Sequence, residues 1–352
     1  MARPISVLPD VTVMGGGIFG LSCAYEMQAR GARVHLVERH AIGAGSSGGP
    51  VGAMSPHVPE LWNPKKQFQL DSLLMAAAWW QRVETTASLS SGYARLGRLQ
   101  PLADAEAIAF AQARTATAAQ LWGDAARWSV ITDPGTGFAP LSPTGTWVHD
   151  TLSARIDPRR ALTALAAAFR TLGGTITIGD HRPQGETLWT TGTAGLADLS
   201  EALGQPLGAG VKGQALTLAF DAPDAPQLLC DGLHVVPHDN GTVAIGSTSE
   251  LVWDDPATTD AQLDMLHARA VAFCPWLRDA PVIDRWASLR PRARTRAPML
   301  GHWPNRPGHH VANGGFKIGF GMAPKVAEVM AGLILDGKDA IPNGFRVEDS
   351  LR

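Results

Sequence analysis

Three glycines and a fourth, Gly15-Gly16-Gly17-Ile18-Phe19-Gly20, follow directly on the apolar run Val11-Thr12-Val13-Met14. Few features restrict a fold more. An apolar run with two β-branched valines suits a strand buried in a parallel sheet. Ile18, Leu21, Tyr25 and Ala29 then fall at helical spacing, and Gly31 ends the helix as a C′ glycine. Residues 33–38 (RVHLVE) read as the next strand, so the chain opens on a βαβ unit. Its turn fits G-x-G-x-x-G. Gly15 permits the tight turn, Gly17 lets a pyrophosphate approach the backbone, and Gly20 lets helix and strand pack closely. The helix start at Ile18 and Phe19 offers free N–H groups and a positive dipole end to phosphates. Glu38 lies about 20 residues on, where a carboxylate meets a ribose hydroxyl, and Arg39 follows it. A carboxylate there would repel a 2′-phosphate, which argues against NADP. A glycine turn with no ligand is the bland alternative. Up to this point FAD and NAD are equally compatible.

The chain has 352 residues, which suits two domains better than one core. Hydrophobic residues make up 45% and charged residues 18%, so a large core is expected and disorder is not. The net charge is -2 with no basic half, so nothing in the charge points to a nucleic-acid or anionic-membrane partner. The three cysteines, Cys23, Cys230 and Cys274, lie far apart in sequence with no CxxC. That pattern suits a reducing compartment, not a disulfide framework or a zinc site. The apolar stretch at Ile5 to Leu8 is too short for an export signal, and no run approaches a membrane span. A cytoplasmic protein is expected. The sequence sets no oligomeric state.

Further along, residues 43–53 form a Gly/Ser-rich loop, and residues 65–86 and 104–122 read as helices. Asp157 and Pro158 suit the N-cap and first position of a helix that runs to about Leu172. Strands are expected at 175–178 and 187–191, and a strand-rich stretch at 211–252 with a turn at Asp239-Asn240-Gly241. Residues 258–273 read as helix and 309–313 as strand. A loop from Gly314 to Gly321 then leads into a helix over 323–335.

Three later segments add what the first turn lacks. They are Gly43-Ala44-Gly45-Ser46-Ser47-Gly48-Gly49 with Gly52-Ala53-Met54, then Leu188-Trp189-Thr190-Thr191-Gly192, then Asn313-Gly314-Gly315-Phe316-Lys317-Ile318-Gly319. With Lys212-Gly213-Gln214, the Val236-to-Ser247 stretch and Leu289-Arg290-Pro291, they occur in one order along nearly the whole chain. In these segments the sequence resembles the FAD-dependent D-amino-acid oxidase superfamily, in its glycine oxidase and sarcosine oxidase branch. The resemblance implies a mixed α/β and α+β fold: a discontinuous Rossmann-like FAD-binding domain from 1–64, 150–200 and 290–352, and an antiparallel-sheet substrate domain from 65–149 and 201–289. FAD contacts are expected from Gly15, Gly17, Ile18, Phe19, Gly20, Glu38, Arg39, Ser46, Ser47, Ala53, Met54, Thr191, Gly192, Gly315, Lys317 and Ile318. The chain departs from its relatives in having about ten residues where they place a longer β-meander, so the cofactor contact from that region has no clear counterpart. The cysteine that links flavin covalently in sarcosine oxidases aligns with Ser288, so the FAD is expected to be non-covalent. The lysine tied to oxygen reactivity in that branch aligns with Ala244.

The same resemblance places substrate groups. Lys317 aligns with a lysine that binds the substrate carboxylate, and Arg290 with an arginine whose fork clamps it. Arg290, Arg292, Arg294 and Arg296 alternate, so one solvated strand face is the competing reading. His234 stands where relatives have a substrate-facing tyrosine and is a candidate hydrogen-bonding group or base, though a structural histidine fits the strand equally well. The implied reaction is oxidation of a small carboxylate-bearing amine, namely glycine, an N-methyl amino acid or a D-amino acid. Hydride passes to flavin N5, an imine leaves, and molecular oxygen or another electron acceptor reoxidises the cofactor. Two alternatives stay open: a dehydrogenase for an amine or 2-hydroxy acid that feeds a quinone or partner protein, and a non-catalytic FAD-binding subunit.

Overall fold

The computed structural model describes residues 8–351, so most of the apolar stretch at Ile5 to Leu8 lies outside it. The strand Val11–Met14 pairs in parallel with Val34–Glu38 on one side and Glu186–Trp189 on the other. Thr175–Ile178 and His309–Asn313 extend this sheet in the same direction, and Met299–His302 closes it as an antiparallel edge. The strands expected at 33–38, 175–178, 187–191 and 309–313 thus all lie parallel to the opening strand in one sheet, and the six-stranded layer is doubly wound in character.

Four helices pack together with this sheet in one core: Ile18–Ala29, Pro64–Ala87, Pro158–Thr171 and Gly319–Asp336. Two start signals work as the sequence implies. Asp157 accepts from the N–H groups of Arg159 and Arg160 with Pro158 next, and Asn63 accepts from Lys66 N–H at 3.1 Å with Pro64 next. Helix Ile18–Ala29 is buried on nearly all sides, because Gly319–Asp336 and Pro158–Thr171 pack along it and helix Pro64–Ala87 packs on both of those. Trp79 of that helix meets Tyr25 edge-on at 5.7 Å and Trp80 at 4.8 Å, and neither tryptophan is exposed. Helix Pro64–Ala87, assigned from sequence to the second domain, thus shares its core with the opening βαβ unit.

The second layer is an eight-stranded sheet in the order 282–293, 208–219, 242–246, 233–237, 227–230, 98–101, 147–150, 128–131. All its neighbours are antiparallel except 227–230 with 98–101. Strand Val282–Ala293 runs past residue 290 within this sheet, so one strand carries Arg290 across the sequence boundary between the two expected units.

Two elements differ from the sequence pattern. The last helix begins at Gly319, not at 323, and carries Pro324 inside. Proline lacks the N–H that would reach the Phe320 carbonyl, so its position argues for a later start. Burial of Gly321, Met322, Ala323 and Pro324 overrides that local preference. A helix at Gly192–Ala202 follows the strand that the sequence places at 187–191, and no helix is expected there. Among the described residues no helix is long and apolar enough to cross a membrane.

The glycine turn is tight in the way its sequence requires. Gly15 has φ +111°, and a Cβ on Gly20 would lie 1.9 Å from the Gly15 carbonyl oxygen. Gly20→Ala should therefore force the first helix off the sheet and destabilise the protein by about 1–3 kcal/mol. Thermal unfolding without added cofactor checks this, and an unchanged melting temperature would contradict the close-packing role.

Candidate active site

The carboxyl ends of the parallel strands open into a cavity of about 1040 Å³ that reaches across to the second sheet. This is where an open α/β sheet holds ligands. Of the residues singled out from sequence, Gly15, Gly17, Ile18, Phe19, Glu38, Arg39, Ser46, Ser47, Ala53, Thr191, Gly192, Gly315 and Lys317 line it, with Arg290 and His234. Gly20, Met54 and Ile318 do not. Gly20 is packed under the turn, Met54 has no exposed surface, and Ile318 is the N-cap of the last helix and packs against the core.

The turn is shaped for a phosphate. A Cβ on Gly17 would press on Ser47 Oγ at 3.2 Å, and Gly17 itself lines the cavity, so bare backbone suits this wall. Ser47 Oγ accepts from Ile18 N–H at 3.1 Å, and the remaining N–H groups of the first turn have no intrahelical acceptor. Glu38 is held from two sides. Its Oε2 accepts from Gly16 N–H at 2.6 Å and its Oε1 from His40 N–H at 3.0 Å. The carboxylate is thus fixed at the strand end with lone pairs left toward the cavity.

Beside Glu38 the wall is made by the short segment 179–183, where relatives carry a meander. Gly179 N–H donates to the Glu38 carbonyl at 2.8 Å, and Arg39 Nε pairs with Asp180 at 3.1 Å. His181 meets His35 edge-on at 5.2 Å. Gly179, Asp180, His181, Arg182 and Pro183 all reach the cavity. Sequence reasoning missed these residues, because it looked for the absent hairpin and not for what closed the gap.

The far side of the cavity is cationic. Phe316 has φ +45°, and its ring has Arg290 Cζ at 5.6 Å and Lys317 Nζ at 5.8 Å from its centroid. Lys317 opens to the cavity, yet the protein around it pushes its pKa below the usual lysine range, and the charge of Arg290 adds to this. The N-terminus of the last helix, Gly319 and Phe320, lines the same region. Starting four residues earlier than the sequence implies brings that dipole end close to Lys317. His234 sits beneath, where burial pushes its pKa down to about 3, with Arg98 and Lys317 contributing. Its Nδ1 is buried without a partner. Arg98 itself is paired to the buried Asp150 at 2.8 Å.

Arg290 departs from its expected role. It is buried, and both N–H groups of Nη2 are committed, to the Lys212 carbonyl at 3.2 Å and the Thr248 carbonyl at 2.6 Å. Nη1 donates to Ser247 Oγ. The alternating arginines are not one solvated face either, since Arg290 is buried while Arg294 and Arg296 are exposed.

A family model described as DAO, FAD dependent oxidoreductase, matches residues 10–333. The chain belongs to this family of FAD-dependent oxidoreductases. It is 26% identical over 355 residues to the bifunctional protein ThiO/ThiG of Nostoc sp., covering 94% of this chain and 53% of that protein. The chain thus spans about half the length of such relatives. It is 26% identical over 363 residues to the glycine oxidase of Pseudomonas aeruginosa, covering 94% of this chain and 96% of the relative. The crystal structure of glycine oxidase from Geobacillus kaustophilus superposes with a TM-score of 0.85 at 20% identity, over 96% of this chain and 98% of that one. That likeness shows the fold.

The open Gly17 backbone, the free first-turn N–H groups and the fixed Glu38 carboxylate fit the ADP half of FAD. Glu38→Ala should weaken FAD binding about tenfold or more, the scale of a hydrogen bond to a charged group. Quenching of flavin fluorescence on titration measures it, and undiminished affinity would remove Glu38 from the ribose.

Proposed function

We propose that this protein oxidises a small amine that carries a carboxylate, of the glycine, N-methyl amino acid or D-amino acid type, with oxygen as electron acceptor. The observation that carries this reading is Lys317: a cation with no ion-pair partner among the described residues, set in the cavity beside the N-terminus of the last helix. The family is FAD-dependent, and relatives named glycine oxidase support the substrate class.

In this reading Gly15, Gly17, Ile18, Phe19 and Glu38 hold the ADP half of the cofactor, and Ser46, Ser47 and Ala53 with Thr191 and Gly192 flank its middle. Gly315 and Lys317 lie at the isoalloxazine end, where bound flavin supplies the hydride acceptor. No cysteine lines the cavity among the described residues, consistent with non-covalent binding. Lys317 anchors the substrate carboxylate and turns the carbon next to nitrogen toward the cofactor. His234 stays neutral at physiological pH, so it can accept or donate one hydrogen bond without adding a third charge to Arg290 and Lys317. The amine binds neutral, which removes the need for a strong base in the site. The three buried thiols suit a cytoplasmic setting.

Two measurements test this. Anaerobic bleaching of the bound flavin should occur with one or more amino acids or N-methyl amino acids. No bleaching across both hands and their N-methyl forms would overturn the reading. The second is the pH profile of kcat/KM. Lys317 binds a carboxylate only while protonated, and its pKa lies below the usual lysine range. Binding should therefore be lost as pH rises through that lowered value. Lys317→Met should cost about tenfold or more in kcat/KM and abolish the alkaline limb, and Lys317→Arg should move the limb upward.

A further inference from the structure

Arg290 has the wrong hydrogen-bond geometry for the role its sequence position implies. A guanidinium clamps a carboxylate with two parallel N–H groups, either from Nη1 and Nη2 or from Nε and Nη2. Nη2 belongs to both pairs, and here its two N–H groups are held by the carbonyls of Lys212 and Thr248. The side chain is also packed in on two sides. A Cβ on Gly213 would lie 2.4 Å from Arg290 Cζ, so the guanidinium lies flat against that strand, and the Phe316 ring lies on it at 5.6 Å.

The carbonyls are themselves fixed. Lys212 and Glu250 exchange backbone hydrogen bonds of 3.0 Å in both directions. The Glu250 carboxylate is buried, accepts from Gln214 Nε2 at 3.0 Å and from the Thr248 hydroxyl, and faces Lys212 Nζ at 3.7 Å. Lys212, Gln214 and Glu250 thereby form a polar cluster behind Arg290, closed at the surface by Asp260.

What Arg290 presents to the cavity is Nη1 bonded to Ser247 Oγ. Ser247 lines the cavity, and its hydroxyl proton has no acceptor among the described residues. A hydroxyl that accepts from a cation is a stronger donor in turn. Lys317 stands on the same Phe316 ring as Arg290.

We propose that the substrate carboxylate is bound by the Lys317 ammonium together with the Ser247 hydroxyl, and that Arg290 is a positioning residue acting through Ser247. This rests on the carboxylate-bearing substrate proposed above. Lys317 supplies charge without direction, and Ser247 supplies direction. The Lys212–Glu250 cluster keeps Arg290 from competing for the carboxylate and keeps its charge behind the serine.

The test uses the full-length FAD-bound protein and acetate, with the dissociation constant read from the change in flavin absorbance. Ser247→Ala should weaken acetate about tenfold, as expected for loss of a hydrogen bond to a charged acceptor, and Arg290→Lys by a similar factor. The double variant should be no weaker than either single one, because both remove the same contact. With the preferred amine, Ser247→Ala should raise KM while kcat stays within about twofold, as loss of ground-state binding does. Ser247→Thr, which keeps the hydroxyl, should restore binding, and this comparison stands even where Arg290→Lys does not fold. Acetate affinity unchanged in Ser247→Ala overturns the proposal, as do factors for Ser247→Ala and Arg290→Lys that multiply in the double variant, or Ser247→Thr as weak as Ser247→Ala. Lys317→Met separates the two levels: if it leaves acetate binding intact, or if the unaltered protein binds no acetate, the carboxylate reading itself fails.

Discussion

The approach of the first helix to the ends of two strands is the contact on which the site depends. Thr190 Oγ1 donates to the carbonyls of Met14 and Gly15 at 2.9 and 3.0 Å, tying Glu186–Trp189 to Val11–Met14 just where both strands end. A Cβ on Gly15 would lie 2.7 Å from the Thr190 carbonyl oxygen, and one on Gly20 would lie 2.5 Å from the Thr190 hydroxyl. Three backbone segments therefore meet with only the Thr190 hydroxyl between them. The arrangement aims the helix N-terminus at the cavity and leaves Gly17 as the bare surface. The packing of that helix against Gly319–Asp336 and Pro158–Thr171 then restrains its tilt.

The same economy of distance explains what could be read from the sequence. The packing of Gly15 and Gly20 is local: each is required by an atom within a few residues or by one adjacent strand end. Glu38 was legible for the same reason, since its position follows from the length of a helix and a strand. Lys317 was legible only through resemblance, because a lysine in a glycine loop has no local signature. The clamp expected of Arg290 leaves out partners that lie 42 to 78 residues away in sequence, one on strand Gly208–Ala219 and one just past strand Thr242–Gly246. No spacing in the neighbourhood of Leu289-Arg290-Pro291 announces them. Ser247 stayed unremarked as a site residue for the complementary reason. Its significance comes from the arginine behind it, not from its own surroundings.

Asp180 to Pro183 and Pro324 show two other ways in which local signals are outweighed. In the first, a shortened loop keeps the wall of the cavity by pairing Arg39 with Asp180 across the end of the sheet. Both side chains are well exposed, so the pair fixes shape more than it stabilises. In the second, tertiary burial carries a helix through a proline and so moves its positive end to Gly319. A helix that began after Pro324 would leave Lys317 in a solvated loop, with no dipole end beside it.

The cations of the site differ in what restrains them, and that difference sets their chemistry. Arg98 is neutralised by Asp150 and buried. Arg290 is buried too, with Glu250 opposing the effect of burial and backbone carbonyls taking its N–H groups. Its charge is therefore permanent, preorganised and immobile. Lys317 has no such restraint and lowers its pKa instead. An arriving carboxylate thus meets a movable ammonium in front of a fixed guanidinium. His234 cannot join them as a cation, because burial above all holds the imidazole neutral, with the charges of Arg98 and Lys317 adding to it. Of the cations beside the cavity, Lys317 thus acts on both counts, as the charge that draws an anion in and as one that opposes a charge on the histidine.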